Sequence, residues 1–394
     1  MKKRTGYMML AISFLLCLTG CSFAEQMAEG AMYLVTNEPA EVRKLRQMEI
    51  AQTDEGHMEY YFQQLSEEEK RAYREILMGV RAYKAEIYLS VTDNEQIDRA
   101  YHALLRDHPE VFWIHGRQLV YKTIYDKYTL FEPESIYSAE EIQEGLLAVE
   151  NAWQQVNSLI GEDFTDYQKV KTVYTWIIQN TDYVTTEADQ NIEGVFGDGQ
   201  AVCAGYTGAA QYLLERMSIP CIYVCGDSTT LTAGDNGHAW NLIMLDGSWY
   251  YMDVTNGDQP GFFNASDSES NTVLYDYLCP FPQEYARVSQ PDDEFTVPEC
   301  TEIAYNDAML NGGIFSYYDF QDVLNYAISR IDMGENIVRM KFMTDQEFQT
   351  AMTELVDGKG IQEIARYYIN MLGVSQMQYH YGVLDELNTL YVMF

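Results

Sequence analysis

The chain is poor in basic residues, with 25 Lys and Arg against 60 Asp and Glu and a formal net charge of −35. Nucleic-acid binding depends on Lys and Arg that neutralise phosphates, so this balance excludes a nucleic-acid partner. Nine prolines and 26 glycines in 394 residues exclude a collagen-like or linker-dominated protein. The 47% apolar and 22% charged shares are those of a globular chain, and the length predicts two or three folded units.

Long hydrophobic runs are also missing. Beyond residue 20 no segment approaches the roughly 18 consecutive apolar residues that a membrane-spanning helix needs. The shorter run at 7–18 follows three basic residues at positions 2–4, which is typical of a secretory signal. It ends in Leu18-Thr19-Gly20-Cys21, which resembles a bacterial lipobox. We therefore expect a signal peptide over 1–20 and a diacylated Cys21, with an ordinary signal peptide and an incidental cysteine as the alternative.

Cysteine is scarce, and two of the seven lie in the predicted leader or at the lipidation site. The other five are Cys203, Cys221, Cys225, Cys279 and Cys300. An odd number in an exported chain leaves at least one thiol unpaired. Cys221 and Cys225 lie four residues apart on a predicted strand, about 13 Å, which is too far for a disulfide; a bond between Cys279 and Cys300 stays open. No CxxC pair or histidine cluster suggests zinc, so we expect no metal and no cofactor.

The pattern of turns and apolar residues predicts four regions after the leader. They are a tether (21–55), an N-terminal α+β region (56–145), a central domain (146–295) and a C-terminal α/β module (300–394). In the last region we expect a strand at 336–342, helices near 344–357 and 359–372, and a terminal strand pair at 379–394.

Three helices are predicted around the first domain boundary. Ser66 and Glu69 have the spacing of a capping box, Ser138 opens a helix that ends near Leu159, and 166–180 has an apolar face of helical period. Residues 111–114 and 119–121 are expected to form short paired strands. His108 precedes Pro109, which restricts its backbone, and we interpret it as a turn residue rather than a catalytic one.

Cys203 lies in a glycine-rich segment that leads into a helix. Residues 197–206 have the sequence GDGQAVCAGY, and Gly205 and Gly208 would let other backbone approach the first helical turns closely. A cysteine at a helix N-terminus is favoured as the thiolate by the macrodipole and by free N–H groups. A buried structural cysteine is the alternative on this segment alone.

Residues 237–245 and 248–255 are predicted to form a β-hairpin. The Asp246-Gly247 pair between them is a strong two-residue turn signal. Such a turn places Leu245 opposite Ser248, which fixes the register of the two strands.

This register places a histidine beside a carboxylate. Trp240 lies opposite Asp253, and His238 is diagonal to Asp253 on the same face, within reach of side chains. His238 is the only histidine between 115 and 380, so it is the natural partner of Cys203. A thiolate nucleophile, an imidazole that moves the proton and a carboxylate that orients the ring are the groups that amide acyl transfer requires. A core histidine paired with a structural aspartate is the alternative.

The three segments together resemble the bacterial transglutaminase-like, papain-like cysteine superfamily. They are GDGQAVCAGY, then GHAWN, then DGSWYYMDVT, and the resemblance covers about residues 150–290. It implies a papain-like fold, in which a cysteine-bearing helix packs against a β-sheet. By motif match it implies Cys203 as nucleophile, His238 as general base and acid, and Asp253 as the orienting acid. The family includes peptidases, amide-crosslinking enzymes, deamidases and inactive scaffolds.

Some positions near the site are not fixed by the motifs. Residues 256–258, Asn-Gly-Asp, stand where relatives often have an aromatic residue and an acid. The Cys203 backbone N–H is one expected oxyanion donor, and the Gln200 side chain is a candidate for the second. Tyr206 and Trp240 are candidates to line the substrate cleft, with packing in the core as the alternative role of both.

The sequence therefore predicts an α+β protein with a papain/transglutaminase-like central domain between an N-terminal α+β region and a small C-terminal α/β module. We expect a cell-surface lipoprotein, held at the membrane by its lipid anchor only, that acts on amide bonds of extracellular peptides or proteins. Hydrolysis is the expected reaction, and the negative charge favours cationic substrates. The alternative is a non-catalytic binding or scaffolding lipoprotein that retains the fold.

Overall fold

The computed structural model describes residues 27–50, 58–114, 120–229, 237–263 and 272–394. The chain divides into two compact units, residues 1–55 with 59–136 and residues 56–58 with 137–394. The predicted signal peptide and Cys21 lie outside the described residues, and the domain bounds expected from the sequence stay a prediction. In the described ranges no helix combines the length and apolar character needed to cross a bilayer.

The first unit combines helices with a three-stranded antiparallel sheet. Its helices are 27–36, Ala40–Gln47, Glu67–Arg81 and Asn94–Asp107, with a 3-10 turn at Phe62–Gln64, and its strands are in the order Ile87–Leu89, Tyr128–Glu132, Val120–Ile124. Ser66 and Glu69 form the predicted capping box.

The predicted strand at 111–114 is wrong. These residues form turns, and Val120–Ile124 pairs with Tyr128–Glu132 instead. Phe112 and Trp113 are buried, with their rings in an edge-to-face contact. The apolar run therefore marks burial and not strand pairing, because short apolar segments do not distinguish the two.

The second unit begins with the two helices predicted at 138–159 and 166–180, of which only the first was predicted to be capped. Ser138 with Glu141 caps Ala139–Leu159, and Thr165 with Gln168 caps Asp166–Asn180. The remaining helices are Cys203–Arg216, Val254–Gly257, Pro282–Val288, Asp307–Asn311, Phe320–Asp332, Asp345–Met352 and Gly360–Leu372, with helical turns at Gly194–Asp198, Tyr275–Tyr277, Thr353–Asp357 and Asp385–Leu387.

A four-stranded antiparallel sheet, here called the central sheet, supports the Cys203–Arg216 helix. Its order is Ser248–Met252, Gly237–Leu245, Cys221–Ser228, Ser289–Pro291. Asp246 and Gly247 have φ of 50° and 80° in the turn, and Leu245 pairs with Ser248, so the predicted hairpin register is confirmed. The Asn241 side-chain amide donates to the Thr207 carbonyl at 3.1 Å and ties this sheet to the helix.

The C-terminal part of this unit contains a second, mixed sheet. Its order is Ile314–Phe315, Ile337–Phe342, Thr389–Met393, His380–Leu384, with the first pair parallel and the others antiparallel. The predicted strand near 336–342 and the terminal strand pair are confirmed, whereas the helix Phe320–Asp332 was not predicted. The helices Phe320–Asp332, Asp345–Met352 and Gly360–Leu372 share one apolar core with the two inner strands of this second sheet. Both units combine helices with mainly antiparallel sheets, as the predicted α+β class requires.

Candidate active site

Cys203 is the first residue of a 14-residue helix. The segment before it turns through Gly199, at φ 66°, and forms the short strand Gln200–Ala201, which pairs in parallel with Asp182–Tyr183. Val202 precedes the helix in extended conformation and offers no side-chain cap. Cys203 is half-buried and starts a helix whose N-cap residue has no capping side chain, which is a favourable place for negative charge.

The glycine after Cys203 allows the predicted close approach of backbone. A Cβ at Gly205 would lie 2.7 Å from the Ala201 Cβ and 2.9 Å from the carbonyl oxygens of Asp189 and Asn191. The Val202 N–H also donates to the Asp189 carbonyl at 2.9 Å. The loop at 189–191 thus lies directly against the helix start and fixes the place of the thiol.

The hairpin brings His238 and Asp253 together. His238 is the second residue of its strand, and Asp253 follows the return strand as the N-cap of Val254–Gly257. The His238 Nε2 lies 2.8 Å from the Asp253 Oδ2. Their exposed fractions are 5% and 0%, so the pair is shielded from water.

The attraction between His238 and Asp253 outweighs their burial and sets the charge state of the pair. Burial alone lowers the pKa of His238, but the charge and hydrogen bond of Asp253, followed by the nearby Cys203, outweigh it and raise the pKa to about 10. Burial would raise the pKa of Asp253, yet His238 and further hydrogen bonds hold it below its ordinary value. At neutral pH the two groups are an imidazolium and a carboxylate.

Three more donors, none of them predicted from the sequence, hold the Asp253 carboxylate. The Tyr285 hydroxyl donates to Oδ2 at 2.7 Å, while the Asn256 backbone N–H and side-chain amide donate to Oδ1 at 2.9 Å and to Oδ2 at 2.6 Å. Asn256 lies in the segment that departs from the family pattern. An aspartate at a helix N-cap accepts from the backbone N–H three residues later, so the contact of Asp253 with the Asn256 N–H could have been predicted. No local pattern in the sequence marks Tyr285.

Gly257 is required by a close contact beneath this loop. A Cβ at this position would lie 1.6 Å from the Tyr174 hydroxyl oxygen. That hydroxyl donates to the Leu274 carbonyl at 2.7 Å and lies 3.4 Å from the Asp253 carbonyl. The glycine therefore lets a buried tyrosine brace the loop that carries Asp253.

The second ring nitrogen of His238 is the one available to the thiol. Nδ1 is buried and has no close hydrogen bond to the described part of the chain. Because Asp253 holds Nε2, the neutral ring keeps its proton there and presents Nδ1 as an acceptor. Cys203 is near enough to raise the pKa of His238. Of the three residues predicted as a set, His238 and Asp253 are joined by a hydrogen bond, and the nucleophile role of Cys203 stays a prediction.

The other predicted site residues differ in position. Gln200 is half-buried, three residues before Cys203, and its oxyanion role stays a prediction. Tyr206 and Trp240 are 0% and 1% exposed, which favours the packing role over the cleft role. The Trp240 ring stacks on the His238 ring with centroids 5.8 Å apart, and the Tyr206 hydroxyl donates to Asp258 at 2.8 Å.

A half-exposed tyrosine that the sequence analysis missed flanks the cysteine. Tyr183 lies in the strand paired with Gln200–Ala201. Burial, followed by the nearby Cys203 sulfur, raises the pKa of Tyr183, and its hydroxyl also lies beside the Cys203 backbone N–H. Tyr183 is therefore the aromatic side chain placed at the expected oxyanion donor.

Four further cysteines lie in the part of the chain that the structure describes, and Cys221, Cys279 and Cys300 among them are free thiols. Cys221 and Cys225 lie in one strand and are not bonded to each other, as predicted. Cys279 and Cys300 are buried and also unbonded. Burial raises the pKa of the Cys221 and Cys279 thiols, and that of Cys300 to about 12. These three are poor nucleophiles at neutral pH.

Comparison with known proteins gives a family match over this region. Residues 154–254 match the model of the transglutaminase-like superfamily. The human kyphoscoliosis peptidase is 25% identical over 179 residues, which cover 42% of this chain and 26% of that protein. The mouse protein of the same name is 25% identical over 154 residues, 35% of this chain and 23% of that one. The chain thus matches about a quarter of the length of these relatives.

Solved structures with weaker similarity carry related descriptions. One described as a TGase has a TM-score of 0.26 at 12% identity, covering 43% of this chain and 50% of that chain. A putative cysteine protease from Cytophaga hutchinsonii has a TM-score of 0.25 at 15% identity, covering 35% and 61%. The sequence match places Cys203, His238 and Asp253 inside the matched residues. The chain contains a transglutaminase-like domain.

Proposed function

We propose that this protein is a thiol enzyme that cleaves or transfers amide bonds of extracellular peptides or proteins. One observation carries the proposal: His238 is bound to Asp253 through Nε2 and keeps Nδ1 for a cysteine at a helix start. A scaffold needs none of these three groups, whereas acyl transfer needs all of them.

The geometry supports a two-step reaction that begins with the imidazolium and thiolate forms. The Cys203 sulfur attacks the amide carbonyl carbon, and the Cys203 backbone N–H stabilises the oxyanion. His238 then donates the Nδ1 proton to the leaving nitrogen, the C–N bond breaks, and the amine departs. The products are a thioester on Cys203 and a neutral His238.

The second step regenerates the thiol. Neutral His238 accepts a proton from the acyl acceptor as that acceptor attacks the thioester, and the C–S bond breaks to return the thiolate beside the imidazolium. Water gives hydrolysis, and an amine gives a crosslinked amide. We propose hydrolysis, because water is the abundant acceptor outside the cell.

Charge and relatives support a peptide substrate. The net charge of −35 attracts cationic peptides or envelope components. The relatives with the matching domain carry the name peptidase. We further propose that the enzyme is exported and held at the bacterial cell surface by acylation of Cys21, because the lipobox-like sequence at 18–21 follows a signal-like run.

The decisive experiment is a mass-spectrometric screen of envelope peptides with the wild type and with Cys203→Ala. Cleaved chains indicate a peptidase, Gln converted to Glu a deamidase, and crosslinks a transferase. Cys225→Ala is the matched control, because Cys225 is, like Cys203, a half-buried cysteine of the second unit. Products that persist in Cys203→Ala, or no product with the wild type, would contradict the proposal.

Alkylation with iodoacetamide tests the same site without a substrate. We expect Cys203 to be modified at mildly acidic pH much faster than an ordinary cysteine, and His238→Ala to slow this modification. Peptide mapping separates Cys203 from Cys225. A sluggish Cys203 with an ordinary pH dependence would favour a non-catalytic scaffold.

A further inference from the structure

Two contacts to Asp253 come from one stretch of chain that lies beyond the predicted motifs. The Asp253 backbone N–H donates to the Tyr277 carbonyl at 3.0 Å. The Tyr285 hydroxyl donates to the Asp253 Oδ2, the same oxygen that faces His238. The stretch 275–288 therefore holds both the backbone and the carboxylate of the orienting acid.

The C-terminal module, residues 300–394, holds this stretch through the neighbours of those two residues. The Lys341 Nζ donates to Glu284 at 2.6 Å, and the Asn388 side-chain amide donates to the same carboxylate at 3.2 Å. The Tyr391 hydroxyl donates to Asp276. Glu284 directly precedes Tyr285, and Asp276 directly precedes Tyr277.

A further hydrogen bond holds the segment that contains Asp276 and Tyr277. The Tyr277 hydroxyl donates to Glu386 of the module. Asp276 is 4% exposed, and Tyr277 is 2% exposed. Polar contacts at such buried positions are directional, so they fix where the Tyr277 carbonyl meets Asp253.

The pair of Lys341 and Glu284 is poorly explained by stability alone. Lys341 is 2% exposed, donates also to the Leu387 carbonyl at 2.6 Å, and lies 4.5 Å from the centre of the Phe281 ring. Burial lowers the pKa of Lys341 and raises the pKa of Glu284, although each attracts the other. Desolvation thus outweighs the attraction, and apolar side chains would serve packing equally well.

The pair of Lys341 and Glu284 is explained by the orientation that it gives to the helix carrying Tyr285. Glu284 and Tyr285 are consecutive on the short helix Pro282–Val288, so fixing the Glu284 side chain also fixes the rotation of that helix. The rotation decides whether the Tyr285 hydroxyl reaches the Asp253 Oδ2. The Tyr285 ring adds contacts with Trp240 and Tyr251, at centroid distances of 6.1 and 4.7 Å.

We propose that Lys341 is a positioning residue of the active site, which acts through Glu284 and Tyr285 to hold the Asp253 carboxylate against His238. This assigns the C-terminal module a role in catalysis and rests on the proposed function. The module is then an integral part of the enzyme and not an independent binding domain.

The test compares the full-length wild type with Lys341→Met and Tyr285→Phe. Loss of the Tyr285 donor makes Asp253 easier to protonate, and protonated Asp253 no longer supports the imidazolium. We expect the acid limb of the Cys203 alkylation profile to move up by about one pH unit in Tyr285→Phe, because the charged carboxylate loses a hydrogen-bond donor. Lys341→Met should move it in the same direction.

The double variant separates positioning from a merely structural role. If Lys341 acts through Tyr285, the double variant has the acid limb of Tyr285→Phe alone, because the two effects share one path. Arg330→Met is the matched control, since Arg330 pairs with Glu335 inside the module. We expect the wild-type profile for this control. An unshifted Lys341→Met, or additive shifts, would overturn the proposal.

Glu284→Gln is the second variant if Lys341→Met does not fold. It keeps the shape and removes the charge that Lys341 binds, and we expect the same shift. An NMR titration of the Asp253 carboxyl carbon measures the rise in the pKa of Asp253 directly, even if no substrate is ever turned over. Failure of the proposed function leaves this titration intact, whereas an unchanged Asp253 in these variants defeats the positioning role alone.

Discussion

Two histidines are buried among the described residues, one in each unit, and both contact carboxylates. His238 contacts Asp253 through Nε2 only. His108 contacts Glu59 through Nε2 at 3.3 Å and Glu110 through Nδ1 at 2.9 Å. Their pKa values are both raised, to about 10 and about 9, because the carboxylates outweigh burial in each.

The difference lies in what the ring can still do. Carboxylates contact both nitrogens of His108, so its ring is held as a charged link between acids. Arg74 pairs with Glu59 as well, and Arg81 pairs with Glu110. His238 keeps Nδ1 beside a cysteine. A raised pKa alone therefore does not mark a catalytic histidine; an available nitrogen next to a nucleophile does.

Replacing each histidine by alanine gives the largest expected contrast. We expect His238→Ala to lower the rate of the Cys203-dependent reaction by roughly 10⁴-fold, because His238 serves as both acid and base. His108→Ala should leave this rate unchanged and lower the free energy of unfolding by about 1–3 kcal/mol, since its carboxylate neighbours lose a partner. Rates per folded molecule and urea unfolding measure the two effects. A reduced rate in His108→Ala would contradict the assignment of His108 as a structural and His238 as a catalytic histidine.

Asp253→Asn should give the next largest effect. The amide keeps the size of the side chain but removes the charge, so burial then lowers the pKa of His238 towards and below its ordinary value. We expect a rate loss roughly 10- to 100-fold smaller than that of His238→Ala, as in other triads. NMR titration of the His238 ring checks the shift, with Asp107→Asn in the first unit as the control. A His238 that still titrates near pH 10 would show that Asp253 is not its partner.

Tyr183 and Gln200 are the two candidates for the second hydrogen-bond donor to the oxyanion. Tyr183 is favoured because its hydroxyl lies beside the Cys203 N–H. We expect Tyr183→Phe, which removes only the hydroxyl, to lower kcat by roughly 10²-fold with little change in KM. Gln200→Ala should change kcat by less than about 10-fold. The reverse order would return the role to Gln200.

The sequence was sufficient where short-range chemistry decides the structure. The capping boxes at Ser66 and Ser138, and the hairpin register set at Asp246, follow from local rules. The contact between His238 and Asp253 could be predicted because their segments carry their own turn and strand signals, and Cys203 could be proposed as their partner because a glycine-rich turn marks its helix start.

The sequence was insufficient where distant segments meet. Tyr285 lies 32 residues after Asp253, and Lys341 lies 57 residues after its partner Glu284. Their roles follow from tertiary packing, which no periodicity or capping pattern encodes. The strand predicted at 111–114 was wrong for the same reason, because contacts with neighbouring segments, and not the period of the run itself, determine that these residues are buried.

The smallest expected effect is the pH dependence of stability. A raised pKa in the folded state means that His238 stabilises the fold fully below the ordinary imidazole pKa of about 6.5, and that this stabilisation is lost as the pH rises through about 10. The lowered pKa of Asp253 acts at the acidic end of the pH range, where its stabilisation is lost as the pH falls.

We expect the difference in unfolding free energy between the wild type and His238→Gln to shrink by about 1–3 kcal/mol from about pH 6.5 to about pH 10. Urea unfolding at both pH values measures it, with His380→Gln, at an exposed position, as the control. A difference that stays constant would mean that the His238 imidazole is uncharged in the folded protein, and the reaction would then begin from a thiol and a neutral ring.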